Sequence, residues 1–281
     1  MLSYLEESLK FQLSLGVDAS FDFITGRELN IQNVCINENN IKTIEENTAK
    51  DNTKHCQSMQ TLEKDKTINY DSLPQEDNNY NIDEINTIDA LVEKIQNFNG
   101  CQLKRYSKND VIYDGKVNSK IILIGEAPGE TEDINGIPFC GQSGKLLRKA
   151  LKFIDLSTDN NLLITNCVYW RPPMNRKPDQ DEINSCLPFV YKMIEIVDPE
   201  LIILCGATAI STLLQTNKRV SDMVGNVEKL PKNNLLKNYK EIKTYSIYHP
   251  SYLLRNPSMK KVFWQHLIKL KTILQDNNIA N

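Results

Sequence analysis

Four short runs of apolar, largely β-branched positions recur along the chain from residue 120 onward: KIILIGE (120–126), NLLITNCVYW (161–170), LIILCGA (201–207) and TYSIYHP (244–250). Between them apolar residues return every three or four positions, which predicts helices over about 144–154, 179–197 and 207–216, with a last one over about 259–275. Strand and helix alternating in this way predict an α/β fold: three layers, α/β/α, around a central four-stranded parallel sheet. Ligands of such sheets bind beyond the carboxyl ends of the strands. Three of those ends carry distinctive residues: Glu126 onward, Asn166 onward, and His249. They are expected to converge on one crevice.

The first third of the chain is patterned differently. Residues 2–17 read as a modest amphipathic helix within an N-terminal helical segment (1–35). Over 36–81 the chain turns to Asn, Lys, Glu, Asp and Thr, with few large apolar residues. A stretch of that kind buries too little surface to offset its ordering entropy, so a disordered linker is expected there. Helical periodicity resumes over 82–98 and opens one folded domain, 82–281.

Composition narrows the class. Apolar residues make up 40% of the 281, enough for a real core. The formal net charge of −3 requires any nucleic-acid partner to be met by a local basic patch. The first twenty residues carry Glu6 and Glu7 and no long apolar stretch, so no leader peptide is expected. No run is long enough to cross a bilayer. Cytoplasm is the expected location, and the seven cysteines are expected to be buried thiols or metal ligands rather than disulfides.

The stretch GEAPGETEDINGIPFCGQSG (Gly125–Gly144) follows a strand and precedes a helix, as a phosphate-binding turn would. Its glycines do not fall as G-x-G-x-x-G, and no G-K-[ST] follows. Two prolines, four acidic residues and Phe139 occupy the turn instead. That filling does not suit a pyrophosphate, which calls for bare backbone N–H groups.

Three segments in order, GEAPGETEDINGIPFCG, ITNCVYWRPPMNRKP and HPSYLLRNP, resemble the signature blocks of the family 4 uracil-DNA glycosylases, the iron–sulfur type. The likeness runs from about residue 97 to the last helix. It implies a uracil-DNA glycosylase-like fold and a hydrolase of DNA repair. Such an enzyme flips uracil out of DNA and cleaves its N-glycosidic bond, leaving an abasic site. On that resemblance Phe139 is the stacking ring and Asn166 the amide that reads the base edge. Uracil presents an N3–H donor beside an O4 acceptor, which a carboxamide complements and which cytosine reverses. His249 is the family's histidine, a neutral imidazole N–H stabilising negative charge on uracil O2. Gly125, Glu126 and Ala127 are expected to form the uracil rim. Among the acids Glu130, Glu132 and Asp133, Glu132 is the candidate to orient water and steady the oxocarbenium ion. DNA contact is assigned to Arg171 and Arg176 on the proline-stiffened loop, and to Leu254 and Arg255 near the chain's end.

The chain departs from its family at the cluster. The resemblance implies four cysteines holding [4Fe–4S]; here Phe98 and Trp170 stand at two of those places, while Cys101 and Cys186 keep the other two. Two thiolates are too few for a cubane. No cofactor is therefore expected, with the family's 4Fe-4S cluster as the alternative and two bulky rings filling its former space. The second histidine of the family's crosslinking relatives is missing from QTNKRVSDMVGNV. The reading is a monomer acting on uracil-containing DNA; a uracil-DNA or single-strand binder without turnover is the rival, and a nucleotide enzyme of another kind lacks every phosphate signature.

Overall fold

The apolar runs become neighbouring strands because they are withdrawn from water on both faces; only Lys243, which opens the last strand, is exposed. The computed structural model describes residues 82–236 and 240–279, together with a two-residue antiparallel pair, β1 (Phe21–Asp22) and β2 (Arg27–Glu28). The rest of the expected N-terminal helical segment and of the linker lies outside the described residues.

The domain opens with a 3₁₀ turn at Ile82–Glu84 and then α1 (Ile88–Asn97). The single helix expected over 82–98 is thus divided, because Thr87 caps α1 by accepting the Ala90 N–H at 3.3 Å. β3 (Tyr113–Gly115) leads to β4 (Ile121–Gly125), whose end enters α2 (Glu130–Asn135) and α3 (Gln142–Phe153). β5 (Leu162–Asn166) is followed by α4 (Gln180–Val197), then β6 (Leu201–Cys205), α5 (Ala207–Leu213) and α6 (Val220–Met223). β7 (Val227–Lys229), β8 (Lys243–Ile247), α7 (Pro250–Arg255) and α8 (Met259–Asp276) complete it.

The strand order is β3-β5-β4-β6-β8-β7. β5, β4, β6 and β8 form the expected parallel four, in registers such as Gly125 opposite Asn166 and Ile203 opposite Tyr245. The sheet is larger than expected: β3 and β7 add antiparallel edges, making six strands. Each edge strand is three residues long and mostly polar, so neither produces an apolar run. β4, β5 and β6 are buried along their whole length. A second difference lies after β4, where the acidic stretch read as a loop is the helix α2, closed by Gly136 at φ 70°. Carboxylates in a first helical turn sit favourably against the exposed N–H groups there.

Candidate active site

The ends of β4, β5 and β8 do converge. Asn166 and His249, with Glu126, Ala127, Glu132 and Phe139, line a cavity of about 290 Å³, joined by Ser143, Pro172, Asn175, Arg176, Ser251 and Arg255. A second cavity of about 400 Å³ shares Glu126, His249, Ser251 and Arg255 with it and adds Tyr248 and Tyr252.

Phe139 is held in a left-handed conformation, φ 53°, at a cost of about 1–3 kcal/mol. Its surroundings impose that shape. Arg148 donates from Nε to Phe139 O at 2.9 Å and from Nη2 to Pro138 O at 2.6 Å, and is paired with Asp114 at 2.7 Å. Gly144 lets this backbone approach: a Cβ there would stand 2.1 Å from Phe139 O. Phe139 is buried, and its ring centroid lies 5.9 Å from that of His249. Gly125 serves the same closure from below, since a Cβ on it would meet Asn166 Oδ1 at 2.4 Å and Phe139 Cζ at 2.5 Å. Gly125 therefore supports the site through the space it leaves rather than by lining it.

Asn166 ends β5 as a buried side chain whose Oδ1 has no hydrogen-bond partner. Buried polar atoms are nearly always paired in folded proteins. An orphan acceptor on a cavity wall is what an N–H donor on a bound base would satisfy.

His249 caps α7. Its Nδ1 accepts the Ser251 backbone N–H at 3.3 Å, with Ser251 Oγ 2.7 Å from the same nitrogen. A neutral ring that accepts at Nδ1 carries its proton on Nε2. Burial, with the Arg255 guanidinium nearby, pulls the imidazole down to about 4, so it is neutral at physiological pH. Ser251 thereby fixes which nitrogen donates. Ser251 is marked in the sequence only by its place two residues after His249.

The three candidate acids separate. Glu132 is buried and lines the cavity, with Oε1 accepting the Gly141 N–H at 2.8 Å. Asp133 is buried but accepts from the Lys108 and Asn109 backbones at 2.8 and 3.4 Å, a structural tie. Glu130 is exposed and 3.7 Å from Arg171. Glu126 lines both cavities and accepts a hydrogen bond from the buried hydroxyl of Thr208.

The expected DNA rim divides likewise. Arg176 lines the cavity, but its guanidinium forks onto Glu182 at 2.8 and 2.5 Å, and Glu182 in turn closes the capping box of α4 with Asp179. Arg171 is shared between Glu130 and Asn175, the latter at 2.7 Å. Arg255 is exposed at the lip of both cavities, and Leu254 is partly exposed beside it. Ser143, Pro172 and Asn175 were not foreseen, because nothing in their local pattern separates them from ordinary turn residues.

Away from the cavity, Phe98 and Trp170 meet. Their centroids are 6.2 Å apart with planes 26° from parallel, and Phe98 packs edge-on against Phe189 at 4.9 Å. Trp170 is fully buried and donates from Nε1 to Asp110 at 2.6 Å. Gly100 leaves room for the Phe98 ring, since a Cβ there would lie 2.5 Å from its Cζ. Cys101 and Cys186 are buried free thiols joined by a hydrogen bond, which lowers the Cys101 pKa below the ordinary thiol range, while burial raises that of Cys186. Cys167 is fully buried in the core, its thiol pushed up to about 12 by desolvation. Among the described residues no three His, Cys, Asp or Glu side chains gather as metal ligands, and no helix is long and apolar enough to cross a membrane.

Residues 112–268 match the uracil DNA glycosylase superfamily. The chain is 34% identical over 196 residues to the type-4 uracil-DNA glycosylase of Saccharolobus solfataricus, covering 70% of this chain and 90% of that one. It is 33% identical over 192 residues to the type-4 uracil-DNA glycosylase of Thermotoga maritima, covering 67% and 95%. With the strand ends, the orphan amide and the capped imidazole already in place, these matches show that the chain belongs to the uracil DNA glycosylase superfamily, on its type-4 branch.

Proposed function

We propose that this protein hydrolyses the N-glycosidic bond of uracil in DNA, as its type-4 relatives are named for doing. The observation that carries the reading is the unpartnered, buried Oδ1 of Asn166 in the cavity that Phe139 and His249 also line. Uracil N3–H supplies the missing donor, and the Asn166 amide N–H supplies the donor that O4 requires. Cytosine inverts both, leaving buried groups unpaired.

The chemistry follows from the neighbours. Phe139 covers one face of the flipped base. As the C1′–N1 bond breaks, its electron pair goes to the base, and charge collects on O2. His249 donates Nε2–H to that oxygen. Because Ser251 fixes the tautomer and burial keeps the ring neutral, no net proton transfer is needed at this step. The sugar becomes an oxocarbenium ion; Glu132 Oε2, with Oε1 held by Gly141, orients a water at C1′ and takes its proton as the C1′–O bond forms. Arg255 holds phosphate at the lip, while Arg176 acts mainly by shaping the rim through Glu182.

The residues at the family's cluster position do not fit a four-thiolate group: Phe98 and Trp170 occupy it as packed rings, leaving only the Cys101–Cys186 pair. We therefore assign the protein no iron–sulfur cluster. One chain supplies every pocket residue, so we assign a monomer, and a DNA substrate together with free buried thiols favours the cytoplasm.

The test is excision from a uracil-containing oligonucleotide followed by alkaline cleavage of the abasic site, with Asn166→Ala in parallel. Cleavage by the wild type at uracil and not at cytosine is expected. Binding without cleavage would leave the chain a uracil-DNA binder.

A further inference from the structure

Two segments beside the cavity, helix α7 and the turn after β5, carry apolar side chains, and they expose them very unequally. Leu253 is buried, Leu254 is 37% exposed, and Met174 is 95% exposed. A single exposed apolar residue is ordinary on a protein surface. Met174 is distinguished by the backbone that holds it out. Met174 and the following Asn175 take φ of 54° and 55°, the region that residues with a Cβ avoid unless their surroundings impose it.

Those surroundings are present. Pro172 and Pro173 stiffen the entry to the turn. Asn175 N–H donates to Pro172 O at 3.0 Å, and Arg176 N–H to Pro173 O at 3.2 Å. Asn175 Oδ1 accepts from Arg171 at 2.7 Å, and Arg176 anchors the far side on Glu182. The neighbours Pro172, Asn175 and Arg176 all line the base cavity. The turn thus aims one unbranched, polarisable side chain outward at the lip of the pocket.

We propose that Met174 is the wedge that enters the base stack as the target nucleotide leaves it. Apolar side chains, Met among them, insert between base steps in this way, and the thioether chain adapts to the gap it fills. The inference rests on the uracil-DNA reading of the cavity. Its consequence is graded: the wedge matters most where the lost stacking and pairing are strongest. A U·A pair in duplex should depend on it most, a U·G mismatch less, and a single strand least.

The experiment compares kcat/KM on those three substrates for wild type, Met174→Gly, Met174→Ser and Met174→Leu, with melting temperatures for each. Glycine adopts positive φ without strain, so Met174→Gly should melt no lower than wild type. It should lose about ten- to a hundredfold on the U·A duplex, less on U·G, and stay within about twofold on the single strand. Met174→Ser should follow it, and Met174→Leu should retain most of the duplex activity. Equal losses on all three substrates, or no loss on the U·A duplex, would overturn the wedge while leaving the glycosylase reading intact. Failure of the wild type to excise uracil even from the single strand would overturn both.

Discussion

Trp170→Ala tests whether packed rings hold together what a cluster holds in the family. A buried Trp removes about 200 Å² from water, which at about 25 cal/mol per Å² corresponds to about 5 kcal/mol as an upper figure. Trp→Ala substitutions in cores cost about 3–5 kcal/mol. Here the indole also leaves Asp110 without its 2.6 Å donor, though Asp110 is half-buried and water replaces part of that bond. The 6.2 Å stack on Phe98 adds about 1 kcal/mol more. The expected loss is therefore about 4 kcal/mol, or about 8–16 °C in Tm for a domain of this size. Trp170→Phe, which keeps a ring but drops the N–H, should lose about 1–2 kcal/mol. The assay is thermal unfolding followed by circular dichroism, with uracil excision measured at a temperature where both variants are folded. Iron and the broad absorption of such clusters are measured on anaerobically purified wild type. A Tm fall under about 3 °C for Trp170→Ala would refute the packing argument. So would stoichiometric iron in the wild type.

Asn166→Ala should lower kcat/KM by about 2–4 kcal/mol in barrier terms, the usual effect of removing a buried polar reader; a near-normal single-turnover rate would remove it from the mechanism. His249 stays neutral down to about 4, so the pH–rate profile should show no inflection near the ordinary histidine value of about 6.5. An inflection there that vanishes in His249→Gln would contradict the neutral-donor role. The same depression has a sign for stability: between about 6.5 and 4 the unfolded chain binds a proton that the folded ring refuses. This residue's contribution therefore declines as pH falls through that window, which chemical denaturation of wild type against His249→Gln at pH 7 and 4.5 will measure. Arg176→Ala should lower Tm because it strips the fork from buried Glu182, whereas Arg255→Ala should weaken DNA binding with Tm unchanged; the reverse pattern would exchange their roles.

The alternation of apolar runs with helical periods was enough to determine a parallel α/β sheet and which strand ends would meet, because burial on both faces leaves an unambiguous mark on sequence. Asn166 and His249 were legible for a related reason: one ends such a run and the other follows closely, where a motif and a topological rule point to the same crevice, whereas Phe139, beyond α2, was legible through its motif alone. The edge strands were not legible, since three mostly polar residues pair with a neighbour through backbone groups that carry no side-chain signal. Nor were the fates of the charged residues. Glu132, Asp133 and Glu130 look alike in a row, yet α2 turns one into the cavity, one toward the Lys108–Asn109 backbone and one to solvent. Arg176 and Arg255 look equally free until Glu182, drawn close by its place in a capping box, claims the first. The tautomer of His249 and the outward thrust of Met174 were decided later still. One depends on a serine N–H two residues on, the other on a pair of left-handed dihedrals, and both are features of backbone geometry that residue type alone does not mark.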